Sequence, residues 1–176
     1  MEIEKKYLVN YMPEEIANAH VKVIEQAYLS VNPVVRIRKS NNRYILTYKS
    51  HDNIDVNEFS DICMSNEVEL PLTKDSYEHL KTKADGMIIS KKRYNIPLAI
   101  YSSEYGKLKA ELDVFYGDLQ GLVLVEVEFD NVVQAQNFVP PDWFGKDVSE
   151  DGRYRNSFLS NISSREEFVE FFGSII

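Results

Sequence analysis

Glu2-Ile3-Glu4-Lys5-Lys6-Tyr7-Leu8-Val9 opens the chain with charged and apolar residues in alternation. In a β-strand, residues two apart share a face. Glu2, Glu4 and Lys6 then lie on one side, and Ile3, Tyr7 and Val9 on the other. An isolated E-x-E strand reads as a solvated face. What matters is whether the pattern recurs.

It recurs along most of the 176 residues. Strand-like runs lie near 2–9, 23–30, 34–39, 43–49, 66–70, 87–95, 107–116 and 121–129. Arg36 and Arg38 oppose Val35 and Ile37. Lys49 ends the fourth run on the face of Thr47 and Arg43. Glu67 and Glu69 oppose Val68 and Leu70. Lys91 and Arg93 mark the sixth run. Lys107, Lys109, Glu111 and Asp113 oppose Leu108, Leu112 and Val114. Glu126 and Glu128 oppose Val123, Val125, Val127 and Phe129. Turn signals separate the runs: Asn32-Pro33, Ser40-Asn41-Asn42, and Gly117-Asp118 with Gly121.

Solvated faces mix signs and include Ser, Thr and Gln. Here carboxylates come in pairs on some strands and cations in pairs on others. About eight strands suffice to close a small barrel. The expectation is an α+β fold: a closed eight-stranded antiparallel β-barrel, a tunnel, with helices packed outside. Charged faces would line the lumen and apolar faces would meet the helices. Buried charges are tolerated when paired or coordinating. Arg and Lys suit phosphate oxygens. Carboxylates suit Mg²⁺ or Mn²⁺, with phosphates completing the shell. Together these are the groups that a metal–triphosphate complex needs.

Helical signals fill the gaps. Pro13 suits the first turn of a short helix over Glu14–Ala19. Thr73 caps a helix through Tyr77, Leu80 and Ala84. Ser164 and Glu167 form a capping box ahead of Phe168, Phe171 and Phe172. With no repeat or linker, residues 1–176 read as a single domain. The formal net charge of −8 argues against nucleic acid as a partner. No run is long and apolar enough to cross a membrane, and the charged N-terminus does not read as a signal peptide. The lone Cys63 excludes an internal disulfide and a cysteine-based zinc site. A cytoplasmic location follows as the expectation, and a homodimer is compatible with the sequence. His20, His51 and His79 lack ligand spacing. Cys63 reads as incidental, Trp143 and the phenylalanines as packing residues. Arg153 and Arg155 read equally well as surface residues or as cations reaching an anion.

The E-x-E-x-K of Glu2–Lys6 is followed in order by Arg36-Ile37-Arg38, Thr47-Tyr48-Lys49, Glu67-Val68-Glu69, Lys91-Lys92-Arg93, Asp113 and Glu126-Val127-Glu128. This series resembles the CYTH superfamily, the triphosphate tunnel metalloenzymes. Trp143-Phe144-Gly145, Asp147-Val148-Ser149 and Arg153-Tyr154-Arg155-Asn156 are similar to its short bacterial branch. The chain departs from the family pattern at Ala27, where Gly is frequent, and at Met64, Ser65 and Asn66, where an Arg commonly precedes the middle acid pair. His51–Ser65 matches least and is expected to form a mobile loop near the tunnel mouth.

The resemblance implies a divalent-metal-dependent triphosphatase, a hydrolase acting on tripolyphosphate or a nucleoside triphosphate. It implies metal ligation by Glu2, Glu4, Glu126 and Glu128, supported by Glu67, Glu69 and Asp113. Phosphates would be held by Arg36, Arg38, Lys49, Lys91 and Arg93. Lys6 and Tyr28 would form a catalytic pair at the reacting phosphoryl group. Alternative outcomes are a class IV-type adenylate cyclase, a thiamine triphosphatase, or a non-enzymatic polyphosphate-binding module.

Overall fold

The structure is a computed structural model that describes residues 2–50, 63–98 and 108–173. Nine strands carry the fold: β1 (Glu2–Val9), β2 (His20–Val31), β3 (Val34–Ser40), β4 (Arg43–Ser50), β5 (Cys63–Pro71), β6 (Asp85–Pro97), β7 (Lys109–Phe115), β8 (Val123–Glu128) and β9 (Phe144–Asp147). They form one sheet in the order β5-β4-β3-β2-β6-β7-β8-β1-β9. Their pairings are antiparallel.

The expected closed eight-stranded barrel is corrected by this order. The sheet has nine strands and runs out on β9 rather than closing on itself as eight. The cause lies in how β1 shares its edges. One edge pairs with β8 from Glu4↔Glu128 to Leu8↔Leu124. The other meets β5 over three positions, Glu2↔Ser65, Ile3↔Met64 and Glu4↔Cys63. Beyond that, β9 takes the edge, with Tyr7↔Asp147 and Val9↔Phe144. The result is a strongly rolled sheet around a charged interior. Of the loop expected over His51–Ser65, residues 51–62 lie outside the described residues, and Cys63, Met64 and Ser65 belong to β5 instead.

The apolar faces point outward as expected, and the segment after β8 and a helix between β5 and β6 pack on them. Ile3, Tyr7, Leu112, Val125 and Val127 pack with Phe129, Phe138, Trp143 and Phe144. The Tyr7 and Phe144 rings meet edge to face at 5.1 Å. Helix α2 (Val132–Gln136) contributes Ala135 to this cluster. Burying each large apolar side chain contributes about 1.5–3 kcal/mol. Helix α1 (Lys74–Lys81) seats Tyr77 on Ala27, Ile37 and Leu46 of β2–β4. Its Thr73 cap accepts from the Ser76 amide at 3.1 Å, as the sequence implied. The segment expected as a helix over Glu14–Ala19 is a shorter 3₁₀ turn, Glu14–Asn18, with Pro13 just ahead of it.

At one end of the interior, the inward positions become apolar. Ile89, Phe115 and Leu124 meet Val148, Tyr154 and the helices α3 (Asn156–Leu159) and α4 (Arg165–Phe172). In α4, Phe168 and Phe172 are buried while Phe171 stays 38% exposed. Ser164 caps α4 by accepting from the Glu167 amide at 3.3 Å. The Glu167 carboxylate reaches Ser163 instead of closing the reciprocal box. Gly86, at φ 69°, lets β6 pass against this segment: a Cβ there would lie 2.2 Å from the Ser160 carbonyl oxygen. That oxygen accepts from the Met87 amide at 2.7 Å.

Candidate active site

The charged faces of the strands converge on one cavity of about 480 Å³. Glu2, Glu4 and Lys6 enter from β1, Tyr28 from β2, Arg36 and Arg38 from β3, and Lys49 from β4. Glu67 and Glu69 enter from β5, Lys91 and Arg93 from β6, and Glu126 and Glu128 from β8. The period of two in each strand explains the convergence: every one of these residues is an inward position. Asp113 is absent from the lining. It lies behind Lys91 and Arg93, 1% exposed.

One wall is tightly bonded. Lys91 Nζ lies 2.6 Å from Asp113 Oδ2, and Arg93 donates to both Asp113 oxygens at 2.6 and 2.7 Å. Arg93 Nη2 also donates to Glu126 Oε2 at 2.5 Å, and Nη1 to Glu111. Lys6 Nζ completes the chain at 3.0 Å from Glu126 Oε1. Burial pushes the Glu126 carboxyl up, but Lys6, Arg93 and Lys91 outweigh it and hold Glu126 well below the carboxylate range. Burial draws the Lys91 ammonium down against the pull of Asp113.

The facing wall is looser. Arg36 Nη2 stands 3.7 Å from Glu67, and Lys49 Nζ stands 3.8 Å from it. Lys49 bonds Glu2, and Arg38 bonds Glu69 at 2.6 Å. The buried Nε atoms of Arg36 and Arg38 have no hydrogen-bond partner among the described residues. Burial, then repulsion from Glu2, raises Glu67 to about 7 despite Arg36 and Lys49. Burial and Glu126 raise Glu4, and burial, Glu2 and Glu111 raise Glu128. Tyr28 is buried, and that burial keeps its phenol protonated against the charges of Arg36, Lys6 and Lys49. Gln26 donates toward the Tyr28 hydroxyl at 3.4 Å.

Several lining residues carry no signal in the motif series. Glu111 shares the inward face of β7 with Asp113, so its alternation was readable. Ser149, Asp151, Arg155, Asn156 and Ser157 come from the irregular segment after β9, where no period exists to place them. Ser149 Oγ accepts from the Lys6 amide at 2.9 Å, and the Tyr154 carbonyl lies 3.3 Å from Lys6 Nζ. Of the two arginines left open, Arg155 lines the cavity, while Arg153 is an exposed partner of Asp151.

The oxygen-only carboxylates around the cavity suit a hard divalent cation. Among the described residues no three His, Cys, Asp or Glu side chains already stand together as a metal cage. No helix among the described residues is long and apolar enough to cross a membrane.

No family model matches the chain. Individual relatives do. An inorganic triphosphatase of Nitrosomonas europaea is 35% identical over 166 residues, covering 90% of this chain and 96% of that protein. One from Acetivibrio thermocellus is 31% identical over 163 residues, covering 90% and 92%. A solved inorganic triphosphatase structure superposes with a TM-score of 0.65 at 34% identity, covering 92% of this chain and 95% of that one. Identity at this level over nearly the whole length, joined to the ordered acid and base pairs, places the chain in the CYTH superfamily of triphosphate tunnel metalloenzymes.

Proposed function

We propose that this protein hydrolyses the terminal phosphoanhydride of a triphosphate, with inorganic tripolyphosphate as the leading substrate. One observation carries the reading: cations and carboxylates interleave around a single cavity, and among the described residues the Nε atoms of Arg36 and Arg38 have no hydrogen-bond partner. The activity of the relatives agrees with it. Phosphoryl transfer depends on placement and charge neutralisation more than on covalent catalysis.

Arg36, Arg38, Lys49, Lys91 and Arg93 bind phosphate oxygens. On the loose wall Arg36 and Lys49 exchange their long contacts to Glu67 for stronger ones to the substrate. Glu2, Glu4, Glu126 and Glu128, with Glu67 and Glu69 nearby, would hold Mg²⁺ or Mn²⁺ jointly with the phosphates. Magnesium commonly takes one or two carboxylates plus substrate oxygens. The bound ion supplies charge neutralisation at those oxygens.

Lys6 sits beside the reacting phosphoryl group and stabilises the charge that develops as the anhydride bond breaks. Tyr28 keeps its proton and orients the attacking water. Water adds to the terminal phosphorus, the bridging P–O bond breaks, and orthophosphate leaves with diphosphate. The test is a screen of tripolyphosphate, ATP and thiamine triphosphate with Mg²⁺ and Mn²⁺, reading phosphate and cyclic nucleotide together. Fastest phosphate release from tripolyphosphate, abolished by EDTA and restored by either metal, is expected. Cyclic nucleotide from ATP, or binding with no turnover of any substrate, would overturn it.

A further inference from the structure

Asp113 is the inward acid of β7 that does not reach the cavity. It pairs in register with Arg93 across the β6–β7 ladder, and Lys91 lies one inward position along. Among the described residues, three charge-assisted bonds enter its carboxylate from these two cations, at 2.6, 2.6 and 2.7 Å. Asp113 is 1% exposed and Lys91 is 2% exposed, so water cannot take its place. A carboxylate offers about four lone-pair sites. Three face cations here, on a group turned away from the space a ligand would enter.

The two cations have opposing needs. Lys91 and Arg93 are like charges on neighbouring inward positions of one strand, and each disfavours the other. Holding both charged and both facing the cavity needs a negative group behind them. Arg93 is further held by Glu126 and Glu111, but among the described carboxylates Asp113 is the one bonded to Lys91. The amide oxygen of Asn156 is a weaker neutral contact at 3.4 Å.

We infer that Asp113 is a positioning residue that fixes Lys91 and Arg93 as a two-point phosphate clamp, and that it does not ligate metal. This rests on the triphosphate reading of the same cavity. Its consequence is a division among the inward acids: those of β1 and β8 face the ligand, and Asp113 of β7 organises the cations that grip it. Without Asp113 the clamp loses a fixed geometry, so substrate binding suffers in ground state and transition state alike.

The experiment uses Asp113→Asn in the full chain. Calorimetry follows Mn²⁺ alone and tripolyphosphate, and steady-state kinetics follow hydrolysis. The expected result is a rise in the tripolyphosphate KM of about tenfold or more, the size of one lost charge-assisted bond. kcat should change much less, and Mn²⁺ affinity should stay unchanged. Weakened Mn²⁺ binding would make Asp113 a ligand and overturn the inference. A lower kcat at unchanged KM, from a smaller folded fraction, would reduce it to a structural acid and overturn it too. Should Asp113→Asn fail to fold, Lys91→Met/Asp113→Asn removes the stranded ammonium along with the acid. Against Lys91→Met alone, the second substitution should leave Mn²⁺ binding intact and still raise KM, because Arg93 loses its two bonds to Asp113. An unchanged KM in that pair, or weakened Mn²⁺ binding, would defeat the inference. A wild type that binds tripolyphosphate without turning it over sinks the hydrolase reading alone, and the binding arms still decide Asp113.

Discussion

The two walls of the cavity use the same residue types and differ in how well those residues are satisfied. On β6, β7, β8 and the end of β1, Lys91, Asp113, Arg93, Glu126 and Lys6 form a continuous alternation of charge with contacts of 2.5–3.0 Å. On β3, β4 and β5, Arg38 bonds Glu69 at 2.6 Å, but the contacts to Glu67 lie at 3.7 and 3.8 Å, and two buried guanidinium nitrogens have no hydrogen-bond partner among the described residues. A buried ion pair repays its desolvation only with good geometry and full hydrogen bonding. The first wall meets that condition by itself. The second does not, and a polyanion would complete it. A satisfied network holds its geometry before the ligand arrives, and an unsatisfied one gains most when the ligand binds.

The largest expected effect breaks the tight wall. Glu126→Gln puts a neutral amide where Lys6 and Arg93 share a buried carboxylate. Metal-free unfolding in urea should show a loss of about 3 kcal/mol or more. Glu67→Gln on the loose wall should cost far less. Equal losses would erase the distinction between the walls.

Next comes the chemistry. Lys6→Ala should lower kcat on tripolyphosphate by about a hundredfold with little change in KM, as for loss of a donor aimed at developing charge. Arg38→Ala should have a smaller effect of the other kind, a KM rise of about tenfold at nearly constant kcat. The reverse pattern would move the reacting phosphorus to the Arg36/Arg38 end.

The smallest effect is one of pH. Glu67 titrates near 7 in the folded protein against an ordinary 4.5, so the fold binds its proton more tightly than the unfolded chain does. The stability it contributes is fully present below about 4.5 and is lost as pH rises through 7. Melting temperatures from pH 5 to 8 should therefore fall more steeply in wild type than in Glu67→Gln. Glu126, held well below the carboxylate range, adds no slope in that window. Parallel curves for wild type and Glu67→Gln would show that Glu67 is not perturbed.

The period-two alternation made much of this legible. Lys6, Arg36, Arg38, Lys49, Lys91, Arg93 and Glu126 all sit where their strand parity puts them. The ninth strand escaped because Phe144–Asp147 is four residues long, too short to show a period. Its presence on the β1 edge is what overturned the closed barrel. Asp113 shows a second limit: parity says which side of the sheet a residue faces, but not whether a longer neighbour stands in front of it. Ser149, Arg155 and Asn156 show a third, since irregular backbone gives spacing no geometric meaning.

The first strand also has a consequence for the order of assembly. Lys6 bonds to a residue 143 positions away, and Glu4 pairs with Glu128. At about 5–20 residues per second of synthesis, the opening strand waits many seconds for the partners that complete its edges. Contacts this distant in sequence make for slow folding. Throughout that wait its run of alternating charge keeps the strand hydrated, and like any charged edge it resists pairing with other nascent chains. The residues that later line the cavity thus first oppose aggregation.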